Sequence, residues 1–149
     1  MKTAYICSPY RGKTEQEETE HVAYAVELME YVLASGQVAP IVPHLYFPMV
    51  LDDDLQGDRE IAQKCGAHLL EGCDMMICGM KYGMSEGMSE EIQIAMEKNI
   101  PILWINAKPS HLIGIIDAQT AAEEARSLYA SIKAIYGKKD PEEDKNKSS

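Results

Sequence analysis

The chain has 149 residues, enough for one domain with a proper core, and 46% hydrophobic with 26% charged residues is ordinary globular composition. A formal net charge of −10 argues against a nucleic-acid polymer or an anionic membrane surface as partner. No apolar run approaches the roughly 20 residues of a membrane span. The N-terminus enters a strand with no signal-peptide pattern, so a cytoplasmic location is expected.

Thr3 to Cys7 is β-rich and nearly all apolar, the pattern of a first, central strand. The turn Ser8-Pro9-Tyr10-Arg11-Gly12 follows. From Thr14 the sequence is helical, with cap chemistry at Thr14 to Glu17 or Thr19, an inward stripe of Val22, Val26, Met29 and Leu33, and Gly36 as stop. Val38 to Val42 reads as a second strand, and Pro40 places it at a sheet edge. Pro43 to Asp58 is a loop too long to be mere connection. Arg59 to Gly72 forms the next helix, with Ile61, Cys65, Leu69 and His68 or Gly72 on one side.

Met75 to Cys78 is a short buried strand, and Gly79, Gly83 and Gly87 punctuate the loop after it. Met88 to Lys98 is a helix with Met88, Ile92, Ala95 and Met96 inward, and Pro101 to Ile105 is a fourth strand. Leu112 to Ile116 is the best candidate for a fifth strand. A last helix spans 118–136, and the charged stretch 137–149 reads as a disordered tail. Alternating strands and helices imply a three-layer, doubly wound α/β domain over 1–136, flavodoxin- or Rossmann-like, with a parallel sheet of four to five strands.

Chemistry should gather at the carboxyl ends of these strands. On a helical wheel Glu90, Gln93 and Glu97 share the outer face, while Glu91 falls beside Ala95 at the edge of the inward stripe. Glu91 therefore points to the cleft, unless it merely complements the helix dipole. The turn Ser8 to Gly12 suits an anion, with Arg11 adding a bidentate contact, although an exposed turn arginine reads the same way. Neither a dinucleotide fingerprint nor a P-loop is present, and no cofactor is expected. His44 beside Asp52, Asp53 and Asp54 lacks a spaced second histidine, so no metal site is expected. Cys7, Cys65, Cys73 and Cys78 show no paired spacing and read as free thiols. The methionines between 75 and 96 read as core filling, or as an adaptable pocket or subunit interface.

Three stretches in order, Tyr5 to Gly12, Pro43-His44-Leu45 and Gly87 to Ala95, resemble the nucleoside 2-deoxyribosyltransferase-like superfamily, and most closely its small, poorly characterised bacterial and phage branch. The resemblance covers residues 1–106. It implies an N-glycosyl enzyme acting on a nucleoside or nucleotide, by transfer or hydrolysis. Glu91 matches the nucleophilic glutamate and Tyr5 the tyrosine that orients it. Ser8, Tyr10, Arg11, Gly12, His44, Asp53, Gly87, Met88 and Ser89 are the implied substrate-binding residues, and a homo-oligomer is implied. The related 5′-monophosphate N-glycosidases bind phosphate at the turn that Ser8 to Gly12 resembles. Characterised members also carry an aspartate on the helix before the third strand, as acid to the leaving base. Counted back from Asp74, the matching position is near Gly66. The substitutes are Asp52 to Asp54 and His68, and the alternative is a binding module that has lost catalysis.

Overall fold

The computed structural model describes residues 1–105 and the strand at 112–116. The stretches 118–136 and 137–149, expected as a last helix and a tail, lie outside the described residues. Five strands form one sheet: β1 (Lys2–Cys7), β2 (Val38–Ile41), β3 (Met75–Gly79), β4 (Ile102–Ile105) and β5 (Leu112–Ile116), in the order β2-β1-β3-β4-β5. The first four run parallel, and β2 takes the edge that Pro40 requires. The fifth strand exists but runs antiparallel to β4, so the sheet is mixed rather than fully parallel. A strand's direction depends on the path of its connection, which a five-residue apolar run does not encode.

The helices among the described residues are α1 (Glu15–Ala34), α2 (Gln56–Glu71) and α3 (Glu86–Glu97). Thr14 caps α1 by accepting the amide of Glu17, and the Glu17 carboxylate reaches back to the amide of Lys13. Gly36 ends it with φ of +63°, a backbone that glycine adopts without strain. Side chains alternate across the strands and build two cores. Ala4, Ile6, Met75, Ile77, Leu103 and Ile105 pack under α1. Tyr5, Cys7, Met76, Cys78 and Ile102 face α2 and α3. Helices thus cover both faces, which gives the expected three layers.

Two helix faces differ from expectation. Helix α1 buries Tyr24, Ala25, Leu28 and Val32, while Leu33 is exposed. The larger residues at 22, 26, 29 and 33 marked a neighbouring face, because alanine adds little to an apolar pattern. Helix α2 buries Gly66 and Leu70, while Ile61, Cys65 and His68 are exposed. It also starts three residues before Arg59, at Gln56. Helix α3 starts two residues before Met88, capped by the Ser85 hydroxyl, which accepts the Met88 amide at 3.2 Å. Gly87 therefore lies in the first helical turn and not in a loop. Met96 is exposed, unlike Met88, Ile92 and Ala95. Pro43 to Asp58 is less irregular than a free loop, with 3-10 turns at Pro43–Leu45 and Phe47–Met49. Among the described residues no helix is long and apolar enough to cross a membrane.

Candidate active site

A cleft of about 410 Å³ opens at the carboxyl ends of β1 and β3. Its floor holds Tyr5 and Glu91, and its walls come from the β1 turn, the 3-10 segment and the facing sides of α2 and α3. Tyr5 points here because odd-numbered residues of β1 face α2 and α3. Glu91 points here because Met88, Ile92 and Ala95 fix the rotation of α3 against the sheet. The two meet: the Tyr5 hydroxyl donates to Glu91 Oε1 at 2.7 Å. Glu90 instead turns outward and accepts from the Gln63 amide at 3.1 Å.

Electrostatics set this pair apart. Glu91 keeps partial access to the cleft but is largely surrounded by protein. Burial pushes its carboxyl up. The hydrogen bond from the Tyr5 hydroxyl and the nearby Cys7 thiol oppose the rise, and the Glu90 charge adds to it. Burial and the Glu91 charge push the Tyr5 phenol up strongly, so it remains a neutral donor. The result is a carboxylate held in one orientation and poorly solvated, which is what nucleophilic use of a carboxylate requires.

Gly66, in the middle of α2, is the residue that lets this helix approach. A Cβ added there would stand 3.2 Å from the Tyr5 hydroxyl oxygen and 4.0 Å from Glu91 Oε1. Glycine inside a helix ordinarily costs about 1 kcal/mol relative to alanine. We expect Gly66→Ala to lose that usual gain and to lower any turnover at this pair, since the added methyl presses on the phenol that bonds Glu91. Turnover and melting temperature measured together check this. Full activity with a raised melting temperature would show that the space is not used.

On the other wall, Ser8 Oγ lies 2.9 Å from His44 Nε2. Burial lowers the His44 pKa to about 4, so the imidazole is neutral at pH 7. Between pH 6.5 and 4 the unfolded chain binds a proton at His44 that the folded chain refuses. Stability from this group is therefore complete above 6.5 and falls with pH through that window, by up to about 3 kcal/mol. His44→Gln should flatten the acid side of the stability curve, read as melting temperature against pH in both proteins.

Most of the residues expected at the site line this cleft: Tyr5, Ser8, Tyr10, Arg11, His44, Asp53, Gly87, Met88 and Glu91. Gly12 and Ser89 do not. Gly12 packs against Glu17, where a Cβ would come within 2.5 Å of the Glu17 Cβ. Ser89 is exposed and donates its amide to the carbonyl of Ser85, the residue that caps α3. Arg11 lines the cleft but already has partners. Its Nε is 2.8 Å from Asp53 Oδ2, and its Nη2 contacts Asp54. His68 is absent from the lining, as are Asp52 and Asp54. Sequence reasoning missed Asp58, Arg59, Ala62 and Gln63, which share one face of α2 with Gly66. Their spacing was visible, but small and polar residues give no apolar stripe to orient a helix. Among the described residues no cluster of histidine, cysteine or acidic side chains suits a metal ion.

A family model described as a domain of unknown function, DUF7768, matches residues 2–105. No curated protein matches the chain significantly. Among solved structures, the 2-deoxyribosyltransferase of the psychrotolerant bacterium Bacillus psychrosaccharolyticus is similar, with a TM-score of 0.55 and 14% identity. The likeness covers 70% of this chain and 72% of that one. At this identity it concerns the fold.

Proposed function

The chain belongs to the DUF7768 family, a domain of unknown function, and from that footing we propose that it is an N-glycosyl enzyme acting on a nucleoside or nucleotide. The observation that carries this reading is the 2.7 Å bond from the Tyr5 hydroxyl to a desolvated Glu91 at the floor of the cleft. In this reading a Glu91 oxygen attacks the anomeric carbon, the carbon–nitrogen bond breaks, and the base departs with its electron pair. A glycosyl ester on Glu91 results. Water then hydrolyses the ester, or a second base accepts the sugar. Tyr5 is the positioning donor that keeps the attacking carboxylate oriented. Ser8, Tyr10, His44, Asp53, Gly87 and Met88 bind the substrate, and the partly apolar wall of Phe47, Pro48 and Leu51 suits the flat face of a base. The likeness to a nucleoside transferase fold supports the same reading.

A homo-oligomer forms part of the proposal. Met49 and Val50 beside the cleft are 82% and 85% exposed, and Leu55 and Ile61 are more than half or half exposed on the adjoining segment. We read this exposed apolar segment as the contact surface of that oligomer.

One observation favours a second reading, a binding module without turnover. Position 66 carries no acid, and the cleft's nearest substitutes have other partners: Asp53 holds Arg11, and Asp58 accepts the Asp52 amide at 2.8 Å. Incubation with the 2′-deoxynucleosides and their 5′-monophosphates separates the two. Free base in solution supports the enzyme. Thermal stabilisation by these compounds without base release supports the binding module and overturns the enzyme.

A further inference from the structure

Two arginines line the cleft, Arg11 and Arg59. The sequence pointed to Arg11 as the anion contact, but its guanidinium is bound by Asp53 and Asp54. Arg59 is different. It is half-buried, and among the described residues it forms no ion pair. A guanidinium withdrawn partly from water with no carboxylate in ion-pair contact is poorly compensated until an anion arrives. Its five donors in a fixed fork fit a phosphate bidentately.

Its position along α2 supplies a ruler. Arg59, Ala62, Gln63 and Gly66 follow the i, i+3, i+4, i+7 pattern of one helix face, and all four line the cleft. Gly66 marks the reactive end, with its Cβ position 4.0 Å from Glu91 Oε1. Seven residues separate it from Arg59, about 10 Å along the helix axis. Both positions line one wall of the same cleft, so a phosphate held by the flexible arginine and an anomeric carbon at Glu91 can belong to one ligand. The acidic groups at that end are already engaged. Asp53 is neutralised by Arg11, and the Asp58 carboxylate accepts the Asp52 amide.

We propose that Arg59 is the phosphate receptor of the cleft, and that the substrate class is nucleoside 5′-monophosphates rather than free nucleosides. This inference rests on the N-glycosyl reading for the place of the anomeric carbon at Glu91. Arg11 takes a structural part, tying the β1 turn to the acidic loop at Asp53 and Asp54 across the mouth of the site.

The test is binding and base release with the four 2′-deoxynucleosides and their four 5′-monophosphates, on wild type, Arg59→Gln and Arg59→Lys. Wild type should bind at least one monophosphate about tenfold or more tightly than its nucleoside. Arg59→Gln should bring that ratio to about one, and Arg59→Lys should recover part of it, because the charge remains while the bidentate fork is lost. No preference in wild type, a preference that survives Arg59→Gln, or no binding of any of the eight compounds overturns the proposal. Base release is a separate readout. A phosphate preference that needs Arg59 without any release upholds this inference and sinks the glycosyl chemistry. Equal release from both classes, unaffected at Arg59, does the reverse.

Discussion

Glu91→Gln is expected to cut base release by at least about 10⁴-fold while raising the melting temperature at neutral pH. The loss follows from the amide, which cannot form the glycosyl ester. The gain follows from the direction of the Glu91 shift. Burial raises its folded pKa above the unfolded value. The folded state then favours the protonated form, so this group's contribution is complete below the unfolded pKa. It is lost as pH rises through the folded pKa. Glutamine stays neutral and keeps an acceptor for the Tyr5 hydroxyl. The stability gap between variant and wild type should therefore be wide at pH 8 and close near pH 4. Melting curves across that range check the sign. An equal gap at all pH values would mean that Glu91 is not held against its charge.

Tyr5→Phe should be the second largest loss. Phenylalanine fills the same buried space, and only the hydroxyl disappears. A hydrogen bond to a charged group contributes about 1.5–3 kcal/mol, which corresponds to a ten- to hundredfold lower kcat. KM should move less, since in the proposed mechanism Tyr5 orients the nucleophile and does not hold the substrate. The pH profile distinguishes positioning from mere packing. The Tyr5 bond pulls the Glu91 carboxyl down against its burial, so without it the acid limb of the activity profile should shift to higher pH. Lower kcat with an unmoved acid limb would assign Tyr5 a packing role alone.

Which parts of this site could be read in the sequence depended on the strength of each element's apolar signal. Helix α3 carries its inward face in Met88, Ile92 and Ala95, so 3.6-residue periodicity alone separated Glu91 from Glu90. Pro40 fixed the edge strand because proline cannot donate to a ladder. Helix α2 carries no such apolar stripe on its inward face. Its inward face is Ala62, Gly66 and Leu70 and borders a cleft, while the more apolar Ile61 lies half exposed on the outside. The cleft-facing side of α2 is small or polar up to Leu70, so Arg59 and Asp58 there carry no apolar signal in the sequence. The pairing of Arg11 with Asp53 and Asp54 crosses more than 40 residues of chain, and no local spacing announces it. Gly66 is an intermediate case. Its position could be counted from Asp74, but only the fold shows that the missing Cβ is what leaves room for the Tyr5–Glu91 pair.

The central claim is that Glu91 becomes covalently glycosylated, and a sugar-labelled substrate tests it most directly. Protein mixed with 2′-deoxynucleoside 5′-monophosphates labelled in the deoxyribose, then quenched in denaturant and digested, should carry label on the α3 peptide that contains Glu91. The label should be absent from Glu91→Gln treated identically. Base release with no label on that peptide, or release undiminished in Glu91→Gln, would contradict the account.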